Sequence, residues 1–322
     1  MNSKAPRRAT LPEAARAFAR AQTEHQAGRL AEAQQLYHHA LAIDPDHADS
    51  LHYLGVLSHQ SGQSERALAL IGQALSSDDG NAEAHHNIGL ILGSLGRTDE
   101  AIGHYQRAVA IKPDYADAHT NLAAEMLTKG DSGGAVLHFR RALARNPGAP
   151  ESYGNLAGAL IASGHPDEAL GVIGRGLEIR ATPQFKELLV DCLKVLNAAP
   201  KSGDVRHFLS RAAAVTCART ALLDLAAAPD AVEPPQAALE FCCALAQQCQ
   251  AGSHAASAEE TAQVAALREQ PTAALQSGAA IPALTLVALA AYGPLSSIAG
   301  SAALRERQWP DAVTRLLAQQ LP

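Results

Sequence analysis

The sequence predicts an all-α protein whose first half is a tandem array of helical hairpins. Hydrophobic residues make up 47% of the chain and aromatic residues only 4%, because alanine is by far the most frequent residue. Small side chains bury little area each, so such a core depends on many close helix contacts. No segment shows the alternation of apolar and polar residues that is typical of strands. A third observation, an internal repeat with a fixed period, decides the architecture.

The same residue types recur every 34 positions in blocks 14–47, 48–81, 82–115, 116–149 and 150–183. Position 15 of every block is glycine, which permits a turn, and position 20 is always alanine, which allows close helix packing. Position 24 is a large side chain, position 27 is small, and position 32 is proline in three blocks, where it ends the second helix. The signature residues of position 15 are Gly28, Gly62, Gly96, Gly130 and Gly164.

This frame resembles the tetratricopeptide repeat (TPR) in five consecutive copies. The resemblance implies a right-handed superhelix whose concave groove is lined by the first helix of each repeat, and it implies protein or peptide recognition. The first repeat lacks glycine at position 8, and repeats two and five lack the final proline. Residues 1–13 are expected to form a flexible N-terminus.

The repeat frame ends at residue 183. Residues 184–200 have the spacing of one amphipathic helix that would cap the last repeat. Residues 201–322 are expected to form a second, alanine-rich helical module, with helical patterns that include 257–269 and 295–307.

Asparagine recurs at position 6 of repeats three to five, as Asn87, Asn121 and Asn155. A carboxamide both donates and accepts hydrogen bonds, so a row of them suits a peptide main chain. The row resembles the asparagine ladder in the TPR superhelix of O-linked N-acetylglucosamine transferases, which implies that the groove holds an extended peptide. Ala19 and Tyr53 interrupt it in the first two repeats. The alternative is that these amides bond only to neighbours or water.

Acidic and histidine side chains accompany the asparagines in the expected groove. Position 2 carries Asp49, Glu83, Asp117 and Glu151, which either complement the helix dipoles or form an acidic rim that favours lysine and arginine in a partner. Position 5 carries His52 and His86, whose spacing of one repeat is too wide for one zinc ion. They are expected to contact the peptide or to be packed or solvated. The full set of candidate groove residues is Asn87, Asn121, Asn155, His52, His86, Tyr53, Asp49, Glu83, Asp117 and Glu151.

Several function classes are expected to be absent. The net charge is −6 with no basic block, which disfavours nucleic acid as a partner. The five cysteines have no zinc-finger spacing, and no nucleotide, protease or hydrolase motif occurs. We therefore expect no metal, no cofactor and no catalytic residue in this chain. The apolar run 281–292 is too short to span a membrane, and no signal peptide is recognisable, so a cytoplasmic location is expected.

One more resemblance concerns the last residues. The segment 291–322 resembles the helical connector that precedes S-adenosylmethionine-dependent methyltransferase domains in large TPR-containing proteins; the likeness rests on Tyr292, Pro294, Leu295, Trp309, Pro310, Leu316, Leu317 and Gln320. The favoured function is a scaffold that holds an extended partner segment. The alternative is the substrate-recognition region of a methyltransferase, or less readily of a glycosyltransferase, whose catalytic domain is absent from this chain. A homo-oligomer formed through an exposed repeat edge is a further expectation.

Overall fold

The structure is a computed structural model that describes residues 7–195, 212–227, 236–251, 256–277 and 279–321. Within these ranges it is all-α, as predicted, with no strand. The helices of the repeat region are α1 (Arg7–Gln26), α2 (Leu30–Ile43), α3 (Ala48–Gln60), α4 (Ser64–Ser77), α5 (Ala82–Ser94), α6 (Thr98–Ile111), α7 (Ala116–Thr128), α8 (Ser132–Arg145), α9 (Pro150–Ala162) and α10 (Pro166–Ile179). The later α-helices are α11 (Pro183–Val195), α12 (Ala212–Ala227), α13 (Gln236–Ala251), α14 (Ala258–Ser277), α15 (Ala283–Ala290) and α16 (Asp311–Gln320).

The repeat frame sets the helix boundaries. From α3 to α9 the first helix of each repeat begins at position 1, and from α2 to α10 the second helix begins at position 17. The five glycines at position 15 have φ between 72° and 88°, a conformation that is strained for any residue with a Cβ. The alanines at position 20 are fully buried, which explains why the two helices of a repeat approach so closely.

The chain forms two compact units, residues 1–145 (unit 1) and 146–322 (unit 2). Unit 1 holds the first four repeats, and unit 2 holds α9 to α16. This division differs from the predicted one, because α9 and α10 of the fifth repeat pack with α11, and α10 and α11 pack with α12. Phe185 and Leu189 of α11 are fully buried in this packing.

Three helix boundaries also differ from prediction. α1 begins at Arg7, so residues 7–13 are helical rather than flexible; this stretch is rich in good helix formers, and Pro12 removes only one backbone bond. α14 continues through Pro271 to Ser277, and the side chain of Pro271 is buried. The pattern at 295–307 forms two 3₁₀ turns, Leu295–Ser297 and Ser301–Glu306, separated by Gly300 at φ 75°. The predicted capping helix appears as α11, and residues 196–200 lie outside the described ranges.

Gly176 lets the capping helix reach the fifth repeat. The four earlier repeats have alanine at this position, but here a Cβ would lie 2.5 Å from Phe185 Cε1 and 3.0 Å from Tyr153 Cβ. Gly176→Ala should therefore lower the free energy of unfolding of unit 2 by about 1–3 kcal/mol through overpacking. Gly171→Ala, in the same helix with nothing within 4 Å, is the control and should stabilise by about 0.5–1 kcal/mol. Urea denaturation compares the two, and equal effects would contradict the packing argument.

Candidate functional site

Two asparagines of unit 1, Asn87 and Asn121, lie on one surface of its first helices. Positions 2, 5, 6 and 9 share one helix face, because positions 5 and 6 lie three or four residues after position 2 and three or four residues before position 9. We call this surface of α3, α5 and α7 the ladder face; its members are Asp49, His52, Tyr53, Val56, Glu83, His86, Asn87, Leu90, Asp117, Thr120, Asn121 and Ala124. Successive helices are joined across it by side-chain hydrogen bonds.

Asn87 and Asn121 are each anchored to a histidine of the preceding repeat. Nδ2 of Asn87 lies 2.7 Å from Nε2 of His52, and Nδ2 of Asn121 lies 2.9 Å from Nε2 of His86. The amide donates, so Nε2 accepts and the imidazole proton sits on Nδ1. In His86 that proton faces Tyr115 Oη at 3.2 Å. The amides are thus oriented before any ligand arrives.

The two histidines are neutral at neutral pH because they are buried. His52 is 1% exposed and His86 is 7% exposed, whereas Asn87 and Asn121 are half-buried. Burial lowers the pKa of both imidazoles, and the opposing attraction of Glu83, with Asp49 or Asp117, does not reverse the shift.

In the part of the chain that the structure describes, the acidic row has no ion pair in unit 1 and is ion-paired in unit 2. Asp49, Glu83 and Asp117 are exposed, and none of the ion pairs among the described residues involves them. Glu151, the fourth member of the row, pairs with Arg180 within unit 2. The ladder face therefore carries three carboxylates without a basic neighbour in an ion pair.

Tyr53 belongs to an aromatic cluster rather than to the row of amides. Its ring stacks on Tyr37 with centroids 6.0 Å apart and an interplanar angle of 10°, and Phe18 lies 5.8 Å away. The edge of His25 completes the cluster at 6.0 Å. Tyr53 ends the row of amides on a partly apolar surface.

Asn155 lies in unit 2, half-buried on α9. The residue 35 positions before it is Thr120, whereas His52 and His86 stand 35 positions before the other two asparagines. The histidine anchor is therefore a feature of the first two asparagines, and the third rung of the ladder stays a prediction.

Two family models describe this chain. One, for the tetratricopeptide repeat, matches residues 24–88 and 126–192, and the other, for the TPR repeat, matches 90–130. Together they cover more than half of the sequence. The chain belongs to the tetratricopeptide repeat family.

Of three similar solved structures, PilF shares the fold, and the other two are similar to about half of this chain. PilF from Pseudomonas aeruginosa is 20% identical with a TM-score of 0.53, over 66% of this chain and 91% of PilF. MamA is 24% identical with a TM-score of 0.46 over 49% of this chain and 93% of its own. YrrB, described as a TPR protein with an unusual peptide-binding site, is 18% identical with a TM-score of 0.47 over 52% and 87%. The comparison with curated proteins returned no match. The resemblance to a methyltransferase connector has no support in these findings.

A second set of histidines in this TPR protein was not recognised as pairs in the sequence. Nδ1 of His85 lies 3.1 Å from Nδ1 of His104, and Nδ1 of His119 lies 2.9 Å from Nδ1 of His138. Each pair joins the two helices of one repeat. The two histidines of each pair have the same separation along the chain, and the second pair lies one repeat after the first. This recurrence is visible in the sequence and could have identified the pairs.

The protons of the second pair follow from its other contact. His119 Nε2 lies 3.0 Å from the carbonyl oxygen of Pro113, so it must donate, and Nδ1 of His119 then accepts from His138. The ring centroids of the two pairs lie 5.3 and 5.1 Å apart.

An open cavity of about 680 Å³ lies beside His85 and His104, between α4 and α6. One of the lining residues is Gly72 at position 25, where the next two repeats have Gln106 and Arg140. Its charged rim is paired internally, since Arg97 binds Glu100 through two bonds of 2.7 Å. The cavity therefore offers an apolar floor and paired rim charges.

The remaining sequence expectations concern metals, thiols and membranes. The described residues contain no group of three or more histidine, cysteine, aspartate or glutamate side chains placed to hold a metal. The five thiols are buried and form no disulfide with one another, and burial raises the pKa of Cys192, Cys217 and Cys249 to about 12, which keeps these three protonated and unreactive. Among the described helices none has both the length and the apolarity needed to cross a membrane.

Proposed function

We propose that this TPR scaffold binds an extended, basic segment of another protein across the ladder face of unit 1. The observation that carries the proposal is the pair of anchored amides, Asn87 and Asn121, beside three carboxylates that no ion pair neutralises. An amide that donates one N–H to histidine keeps a second N–H and its carbonyl oxygen. These two groups are what a single peptide unit needs.

The spacing of the repeats sets the register of such a segment. Neighbouring helices of this kind lie about 10 Å apart, and an extended chain advances about 3.3 Å per residue. Consecutive rungs would therefore meet every third residue of the peptide. The apolar row Val56, Leu90 and Ala124 lies along the same face, and Leu90 is 39% exposed. A suitable probe is a synthetic peptide of Lys-Thr-Thr triplets with blocked ends.

Removing the amides should weaken this binding strongly. The double variant Asn87→Ala/Asn121→Ala loses up to two hydrogen bonds per rung, each worth about 0.5–1.5 kcal/mol, so we expect about 10²-fold weaker binding of the probe by calorimetry. The variant should also be less stable, because His52 and His86 each lose a donor to a buried acceptor. Helicity by circular dichroism checks that it is folded. Unchanged affinity in a folded double variant would overturn the proposal.

Two glutamates of the acidic row, Glu83 and Glu151, allow a matched test of how charge contributes to binding. Glu83→Gln should weaken the probe several-fold at low salt, and Glu151→Gln, the same change at the same repeat position, should have less effect because Arg180 already pairs with Glu151. A Glu-Thr-Thr peptide should not bind. Equal effects of the two variants would contradict the assignment of the acidic rim to unit 1.

A further inference from the structure

The groups that Asn87 and Asn121 can offer to a ligand depend on the protonation of the histidines that anchor them. His52 and His86 accept through Nε2, so the amide nitrogen of Asn87 or Asn121 is turned toward the imidazole. The other N–H and the carbonyl oxygen of the amide are left for a ligand. The direction in which the amide is turned is therefore set by the histidine and not by the asparagine alone.

We propose that His52 and His86 are positioning residues that hold Asn87 and Asn121 in a peptide-binding orientation only while the imidazoles are neutral, so that acid releases the ligand. This inference rests on the proposed function and adds its regulation. The third asparagine, Asn155, has Thr120 at the corresponding place and so lacks this control.

The step is the transfer of one proton from solvent to Nε2 of each histidine. A protonated Nε2 donates and no longer accepts, so it faces the N–H of the amide as a second donor. The contact is restored when the amide turns over and offers Oδ1 to the imidazolium. That rotation withdraws the carbonyl oxygen from the ligand and leaves two N–H donors, which cannot match both the N–H and the C=O of one peptide unit.

The charged and titratable groups around each histidine set the pH at which this happens. His52 faces Asp49 on its own helix, Glu83 on α5 and the ring of Tyr53 at 4.9 Å. His86 faces Glu83 on its own helix, Asp117 on α7, and the rings of Tyr105 and Tyr115 at 5.7 and 4.9 Å. Burial outweighs the carboxylates and lowers both pKa values, which places the change below pH 6.5. At the neutral pH of a binding assay both imidazoles are therefore neutral and accept the hydrogen bonds of the amides.

The first test uses the free full-length protein and needs no ligand. Nitrogen-15 NMR should show a coupling across the hydrogen bond between Nδ2 of Asn121 and Nε2 of His86 at about pH 7.5, and the same for Asn87 and His52. The coupling should vanish, and the amide signals should shift, with the same midpoint as each histidine ring. Amide signals that do not follow the histidines would overturn the inference whether or not any peptide binds.

The second test measures the Lys-Thr-Thr probe, which has no group that titrates in the acid range, at about pH 7.5 and at a pH below the histidine midpoints that the NMR titration gives. We expect binding to weaken about tenfold or more in the wild type. In His52→Gln/His86→Gln, glutamine places a carbonyl oxygen where Nε2 lies but does not titrate, so binding should persist at both pH values. Wild-type binding that is equal at both pH values overturns the inference and leaves the proposed function standing. Absence of binding at both values overturns the proposed function, and the NMR result still decides the orientation of the amides.

Discussion

Between about pH 7 and pH 4.5, unit 1 should lose about 2–4 kcal/mol of its free energy of unfolding, more than unit 2 loses. Unit 1 contains five histidines whose pKa is lowered mainly by burial: His25, His52, His86, His104 and His138. The pKa of His138 falls to about 4, because burial, His119 and Arg141 all disfavour its charge. In the folded state these histidines take up a proton only at a lower pH than in the unfolded chain.

The sign of the effect follows from proton binding. The unfolded chain takes up protons below its ordinary histidine pKa of 6.5, and the folded chain does not until the lowered value of each residue is reached. Stability is therefore complete above about pH 6.5 and falls as the pH falls. His25, His104 and His138 are partly exposed and enter the figure at reduced weight, since solvent screens their charges.

Hydrogen exchange of the full chain at several pH values locates the loss, because peptides from each unit are followed separately. His119→Leu/His138→Leu is the matched variant, since the second repeat has Leu51 and Leu70 at the same two positions. It should reduce the pH dependence of unit 1. An equal loss of protection in both units, or a pH dependence unchanged in the variant, would contradict the role of the buried histidines.

The architecture of the repeats was predictable because each hairpin is encoded locally. The glycine, alanine and proline positions specify a turn, a close helix contact and a helix end within one repeat block, and the observed helices begin where the frame places them. The boundary of the units was not predicted, because it depends on what packs on the fifth repeat. The sequence did hold a sign of it: Gly176 replaces the alanine of the four earlier repeats, where Phe185 now packs.

The candidate site was predicted only in part, because its chemistry lies between repeats. The periodicity identified Asn87 and His52 as separate rows but not that they bond to each other from one repeat to the next. The repeat pattern did not indicate that Asn87 and Asn121 bond to buried imidazoles in the free protein. Likewise Glu151 looked equivalent to Glu83 in the sequence, and only the position of Arg180 distinguishes it.

The largest effect of a single substitution should come from Glu260 in unit 2, where Glu260→Ala is expected to cost about 3–5 kcal/mol. Glu260 is 6% exposed and lies in the first turn of α14, where it forms a capping box with Ser257. Glu260 Oε2 accepts from the backbone N–H of Ser257 at 2.7 Å, and Ser257 Oγ accepts from the backbone N–H of Glu260 at 3.1 Å. Oε1 accepts from Tyr292 Oη at 2.8 Å. Although burial opposes it, these hydrogen bonds hold the pKa of the carboxyl below its usual value.

The cost is large because the carboxylate balances a buried cation. Arg219 of α12 is 4% exposed, its Nη2 lies 3.7 Å from Oε1 of Glu260, and its guanidinium lies 4.2 Å from the ring centroid of Tyr292. Removing Glu260 leaves this charge in a site closed to water, together with a tyrosine hydroxyl that has lost its acceptor. These contacts give Tyr292, which follows the apolar helix α15, both a hydrogen-bond acceptor and a cation against its ring.

Urea denaturation of three variants tests this assignment. Glu259→Ala, the exposed neighbour in the same helical turn, is the control and should change stability by no more than about 0.5 kcal/mol. Arg219→Leu/Glu260→Ala should be less destabilised than Glu260→Ala alone, because the double variant no longer buries the positive charge that Glu260 balances. If the double variant were less stable than Glu260→Ala, the loss would have to be assigned to the packing of Arg219 against Tyr292 and not to the charge that Glu260 balances.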